Sequence, residues 1–213
     1  DHHTRLPAYA SGRIGTVGSK MWAARVAEAT SATVERLLAA GMIPLGKLHM
    51  VEFAFGAWGT NPLMGTPWNP WDLKRARVPG GSSSGTAVAV AAGLVPAGIG
   101  SDTGGSVRIP SAFNGLVGLK TTFGRISLHA TALLSWTLDT IGPLARSVDD
   151  CAALLRVLQS ADRYQVLVDA LYSGKSSQFI ETQVSFEDGR KGVVSAELKI
   201  MDVKVFPAVR KAA

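Results

Sequence analysis

The 213-residue chain is 46% hydrophobic and 18% charged, a globular composition with room for one domain carrying a real core and at most two small ones. Its net charge of +6 comes from 22 Lys and Arg that are scattered, without a basic run or interleaved aromatics, so nucleic-acid binding is not expected. The single Cys151 excludes an internal disulfide and a thiolate zinc site, and fits a reducing, cytoplasmic setting.

No run approaches the roughly eighteen uninterrupted apolar residues of a membrane span, so no membrane partner is expected. The first residues, Asp1-His2-His3-Thr4-Arg5, carry no basic-then-apolar pattern, and no signal peptide is predicted. A helix is predicted from Thr30 to Ala40, with Val34, Leu37 and Leu38 on one face and Gly41 as its stop. Met42 to Leu45 is a short apolar run between glycines and reads as a buried strand leading into Lys47. Four prolines, Pro62, Pro67, Pro70 and Pro79, make residues 60 to 81 a loop. Ser84 to Ala92 has helical character and ends at Gly93, followed by strand candidates at Leu94 to Gly100 and Leu116 to Leu119.

Ser147 to Leu158 is the clearest helix. Ser147 can cap it, Asp149 and Asp150 sit where the helix dipole favours them, and Val148, Cys151, Leu155 and Leu158 form a stripe. Beyond it, Phe179 to Glu187 and Val193 to Phe206 alternate in polarity around the turn signal Asp188-Gly189, which predicts a β-hairpin with a bulge near Met201. The domain reading is a core over residues 1–158 and an extension over 159–213.

Chemistry concentrates in two Gly-Ser clusters, Gly80-Gly81-Ser82-Ser83-Ser84-Gly85 and Thr103-Gly104-Gly105-Ser106. The first matches the glycine spacing of a phosphate loop through Thr86 but lacks the lysine that would meet the phosphates. It also fits a nucleophile elbow with Ser83 central, which needs an acid and a histidine downstream; His129 is the one histidine on hand, and with Asp102 as the acid both lie too close for a fold that spaces them widely. A plain Gly-Ser loop without chemistry accounts for either cluster alone. Together they suggest more. A serine after two glycines can present its hydroxyl on an exposed turn whose N–H groups converge on one point, and each such donor is typically worth about 2.7–4 kcal/mol to an oxyanion. The serine still needs a base, and His129 and Lys47 are the candidates. A free lysine amine titrates near ~10.4, whereas a working base sits at about 7 to 8, and bringing Lys47 there takes roughly 4 kcal/mol of burial penalty. The apolar residues Leu48, Met50, Phe53 and Phe55 around it can supply that setting; a surface lysine at a strand end is the plainer reading. The histidines His2, His3, His49 and His129 show no ligand spacing beyond the terminal pair, so neither metal nor cofactor is predicted.

The stretch from Gly80 to Gly124, GGSSSGTAVAVAAGLVPAGIGSDTGGSVRIPSAFNGLVGLKTTFG, resembles the amidase signature family. So do Leu45 to Gly56, LGKLHMVEFAFG, and Leu138 to Ser147, LDTIGPLARS. Similarity runs from about Gly15 to Leu158, with Thr121 standing where the family commonly has proline. The resemblance implies an α/β fold, a mixed sheet between helices, here shortened. It makes Lys47 the base, Ser82 a bridging serine after a cis Gly81–Ser82 peptide, and Ser106 the nucleophile. Thr103, Gly104 and Gly105, with Ser106 itself, would supply oxyanion N–H groups, and Asp102 and Arg108 would brace the turn. The implied activity is hydrolysis of small-molecule carboxylic amides, with esters or anilides as further substrates. The alternatives are an amidotransferase component that supplies ammonia and a non-catalytic, amidase-like interaction module. A sheet that ends early also predicts a homodimer that covers the open edge.

Overall fold

The computed structural model describes residues 12–159, 177–185 and 191–199. The chain divides into two compact units, Asp1–Ser160 and Ala161–Ala213. In the first, helix α1 (Ala32–Ala39) starts at Ser31, whose hydroxyl accepts from the Val34 N–H. It stops at Gly41, where a φ of 76° lets the Met42 N–H turn back to the Leu37 carbonyl. Val34 and Leu37 are buried, but Leu38, expected on the same face, is exposed.

Met42 to Leu45 is not a strand. Ile43 is 82% and Leu45 73% exposed, and the run continues the helix stop as open chain. Apolar residues hold a strand only where a neighbouring backbone takes up their N–H and C=O groups, and no described strand pairs with this run.

Helix α2 (Ser84–Ala91) is buried almost all round because its side chains are small. Strand β1 (Ala97–Asp102) follows, later than the predicted Leu94 start, since Leu94 closes the end of α2 through its bond to the Ala89 carbonyl. Helix α3 (Arg108–Asn114), strand β2 (Val117–Gly118), strand β3 (Thr140–Ala145) and helix α4 (Val148–Leu158) complete this unit. Ser147 caps α4 as predicted, accepting from the Asp150 N–H. Its buried stripe is Cys151, Leu154 and Leu158, whereas Val148 lies in solvent.

The sheet order is β1-β3-β2, and both pairings are antiparallel. The parallel pairing that makes a sheet mixed is not among the described strands. Alternation along the strands sorts the core onto two faces. Ile99 and Ile141 point toward Leu37, Leu154 and Leu158 of α1 and α4, and Leu144 points toward Ala87 of α2 and Val107 before α3. The unit is thus a helix–sheet–helix sandwich, an α/β core. Strand β1 also offers α2 a flat surface: a Cβ on Gly98 would lie 2.5 Å from Thr86 Cγ2, and one on Gly100 would lie 2.6 Å from Ser83 Oγ. A third cluster, Val17, Ala27, Met50 and Ala54, fastens the N-terminal segment to the chain that follows Lys47.

In the second unit, β4 (Ser177–Ser185) and β5 (Lys191–Lys199) pair antiparallel, from Ser177 opposite Lys199 to Ser185 opposite Lys191. The predicted Asp188-Gly189 turn and Met201 bulge lie outside the described residues.

Candidate active site

The end of β1 delivers Asp102 into the protein with no exposed surface, directly before the Thr103-Gly104-Gly105-Ser106 turn. A buried carboxylate needs donors, and the turn provides them. Oδ1 accepts from the Gly105 N–H (2.8 Å), and Oδ2 accepts from the N–H groups of Val107 (3.2 Å) and Arg108 (3.4 Å). The Arg108 guanidinium adds two bonds of 3.0 Å. Burial alone would raise the Asp102 pKa; the Arg108 side chain and the Gly105 and Val107 N–H groups outweigh it and hold the carboxyl below its usual range. Of the expected oxyanion donors, the Gly105 N–H is bonded to Asp102, whereas the N–H groups of Gly104 and Ser106 engage no partner among the described residues.

The Ser82 loop packs against this turn. Ser83 N–H donates to the Ser106 carbonyl at 3.2 Å, which joins the two Gly-Ser clusters. The Gly81–Ser82 peptide is cis. Gly80 and Gly81 donate to the Trp58 and Ala57 carbonyls, and Val51 donates to the Ser82 carbonyl, so Ser82 is gripped by backbone on both sides. A Cβ on Gly81 would meet the Gly59 backbone, which is why no other residue fits there. The Ser82 hydroxyl is buried and has no hydrogen-bond partner among the described residues.

Lys47 is half-buried, and its Nζ donates to the Ile14 carbonyl. Burial, and then the charge of Arg13, push its pKa below the usual 10.5. The structure therefore joins the loop of Ser82 to the turn of Ser106 through Ser83, but does not join Lys47 to Ser82 by a hydrogen bond. Lys47 instead lines an apolar cavity of about 500 Å³ with Leu37, Ile43, Leu45, Ile99 and Leu154.

The competing readings fare worse. Ser83, the elbow candidate, is buried with its hydroxyl turned to the Ser101 carbonyl. His129 is exposed, and its backbone N–H donates to the Ser127 hydroxyl. One further residue lies in the Leu138 to Ser147 stretch without being singled out there: buried Asp139 accepts from the Thr103 hydroxyl at 2.5 Å and from the Leu134 N–H at 2.7 Å. An aspartate in a loop carries no spacing that would single it out.

Known proteins share this arrangement of sequence and fold. The family model described as Amidase matches residues 11–210. A glutamyl-tRNA(Gln) amidotransferase chain of Cupriavidus necator is 50% identical over 147 residues, covering 69% of this chain and 29% of the relative. The crystal structure of the corresponding glutamyl-tRNA(Gln) amidotransferase chain of Thermotoga maritima superimposes with a TM-score of 0.69 at 38% identity, over 73% of this chain and 34% of that one. The native peptide amidase of Stenotrophomonas maltophilia gives 0.68 at 36% identity, over 79% of this chain and 35% of that one. The chain spans about a third of the length of these proteins.

Proposed function

Because this chain belongs to the amidase family, we propose that it hydrolyses carboxylic amides by acyl transfer to Ser106, with Ser82 as proton bridge and Lys47 as base, in a catalytic core over residues 1–158. The observation that supports this reading is the Ser83–Ser106 backbone bond, which joins the turn bearing Ser106 to the loop of Ser82, whose hydroxyl has no partner among the described residues. The Ser106 oxygen attacks the amide carbonyl carbon while its proton passes to Ser82, and Ser82 gives its own proton to the Lys47 amine. The tetrahedral oxyanion lies toward the unengaged N–H groups of Gly104 and Ser106. As the C–N bond breaks, the proton returns through Ser82 to the leaving amine. Water then attacks the acyl-enzyme by the same route. For Lys47 to act, its Nζ leaves the Ile14 carbonyl and turns to Ser82.

A serine-directed fluorophosphonate probe tests this. Ser106→Ala is expected to abolish labelling and lower amide turnover by at least about a thousandfold, in line with losing the nucleophile, while Ser83→Ala keeps both. The reverse pattern would restore the elbow reading, and no labelling of the unaltered chain would favour the non-catalytic module. The relatives named as amidotransferase components support a second reading, release of ammonia for a partner protein. Glutamine hydrolysis that appears only with a partner chain separates it from stand-alone amidase activity. The partner proposed for the amidase itself is a second copy, supported by the apolar surface beside the edge of β1 that is unpaired among the described strands.

A further inference from the structure

Resting on the relay reading above, we propose that Asp139 is a positioning residue for the oxyanion turn, acting through the hydroxyl of Thr103. The turn needs an anchor at each end. Gly104 and Gly105 have no side chains by which neighbours could fix their peptide planes, Gly104 is exposed, and a Cβ built on it would meet nothing within 4 Å. Asp102 holds the later half through Gly105 and Val107. The earlier half is held at Thr103, whose hydroxyl donates to Asp139 Oδ1 at 2.5 Å.

Asp139 suits that task because it is itself fixed. It is buried, its Oδ2 accepts from the Leu134 N–H at 2.7 Å, and its own N–H donates to the Ser135 carbonyl at 3.2 Å. The next residue, Thr140, donates through its hydroxyl to the Asp102 carbonyl at 2.9 Å. Two carboxylates from two strand ends thus hold the short turn between them, and the Gly104 and Ser106 N–H groups inherit their directions from both. The same bonds tie the turn to residues 134–139, where Trp136 is 81% exposed.

The test is a double-mutant cycle with Thr103→Val and Asp139→Leu in the full chain, read by steady-state kinetics and by the ¹H–¹⁵N resonances of Gly104 and Gly105. Leucine is close in size to the aspartate side chain but has no polar atom, so it can bond neither Thr103 nor Leu134, whereas asparagine could still donate to the Thr103 hydroxyl. Tilting an oxyanion donor should cost less than removing one, so kcat is expected to fall by about 10- to 100-fold in each variant with KM within about twofold. The double variant should be no slower than the slower single one, Thr103→Ser should recover turnover, and the glycine resonances should shift in both single variants. A mere packing defect would lower thermal stability without that kcat-to-KM split or the rescue by serine. Additive losses, a rise in KM alone, or unmoved glycine resonances would overturn the clamp. If the glycine resonances shift but Ser106→Ala keeps full turnover, the relay reading has failed, and the catalytic role of Asp139 fails with it.

Discussion

Lys47 must lose its proton before it can take one from Ser82, so the proposed relay is governed by the partial burial of this side chain and the nearby charge of Arg13. Both disfavour the ammonium form. As pH rises through the lowered pKa the neutral amine appears, and kcat/KM for amide hydrolysis is expected to climb to a plateau with a midpoint below 10.5. Lys47→Met should flatten that rise and lower the plateau; an unchanged profile in the variant would remove Lys47 from the relay. Stability carries the same sign. Between the lowered value and 10.5 the unfolded chain binds more protons than the folded one, so Lys47 makes the fold more stable as pH rises across that window. Individual residues were unevenly legible in the sequence. Ser82, Ser106 and Lys47 stand in stretches specific enough to single out, and Asp102 belongs to the same run. Asp139 also lies in such a stretch, but its role is not legible there, because its bond to Thr103 depends on β1 and β3 pairing Asp102 with Thr140. That is a fact of register, not of local pattern.

Elements were legible where one face is apolar and the ends are signalled. α1 and α4 have serine caps and buried stripes, and both appear within a residue or two of their predicted limits. Strand β3 went unread because Gly142 and Pro143 lie inside it, and proline is rarely tolerated in a central strand. It is tolerated here because Pro143 serves as an acceptor, taking the Leu119 N–H at 3.0 Å. Helix α3 was missed for a related reason, a proline within its first turn between glycine-rich flanks. The packing of α2 on β1 makes its own prediction. Gly100→Ala would drive a methyl group to within 2.6 Å of Ser83 Oγ and 3.0 Å of Leu144 Cδ1. The expected cost is about 1–3 kcal/mol in urea unfolding, with a loss of turnover because Ser83 holds the Ser106 carbonyl. Full stability in the variant would show that α2 can lift from the strand freely.

At the scale of the whole molecule, the described sheet has three strands and the edge of β1 is unpaired among them. Ile43, Leu45 and the apolar cavity lie beside β1, an arrangement that favours burial against another surface. If that surface is a second copy, dilution should lower specific activity in step with dimer content. Light scattering that finds a fully active monomer at nanomolar concentration would dismiss the dimer. No described helix is long and apolar enough to cross a membrane. The floor of the site has a different consequence. Where Ser82 and Ser106 meet, the contacts are largely backbone to backbone, with Gly81, Gly85 and Gly100 each pressed against a neighbour that leaves no room for a methyl group. A surface of that kind has almost no side chains to exchange. Under random mutagenesis, accepted changes should therefore collect in the exposed aromatic loops, around Phe55, Trp58 and Trp136, and avoid the floor. Preference for one amide over another could then drift while the machinery beneath it stays fixed.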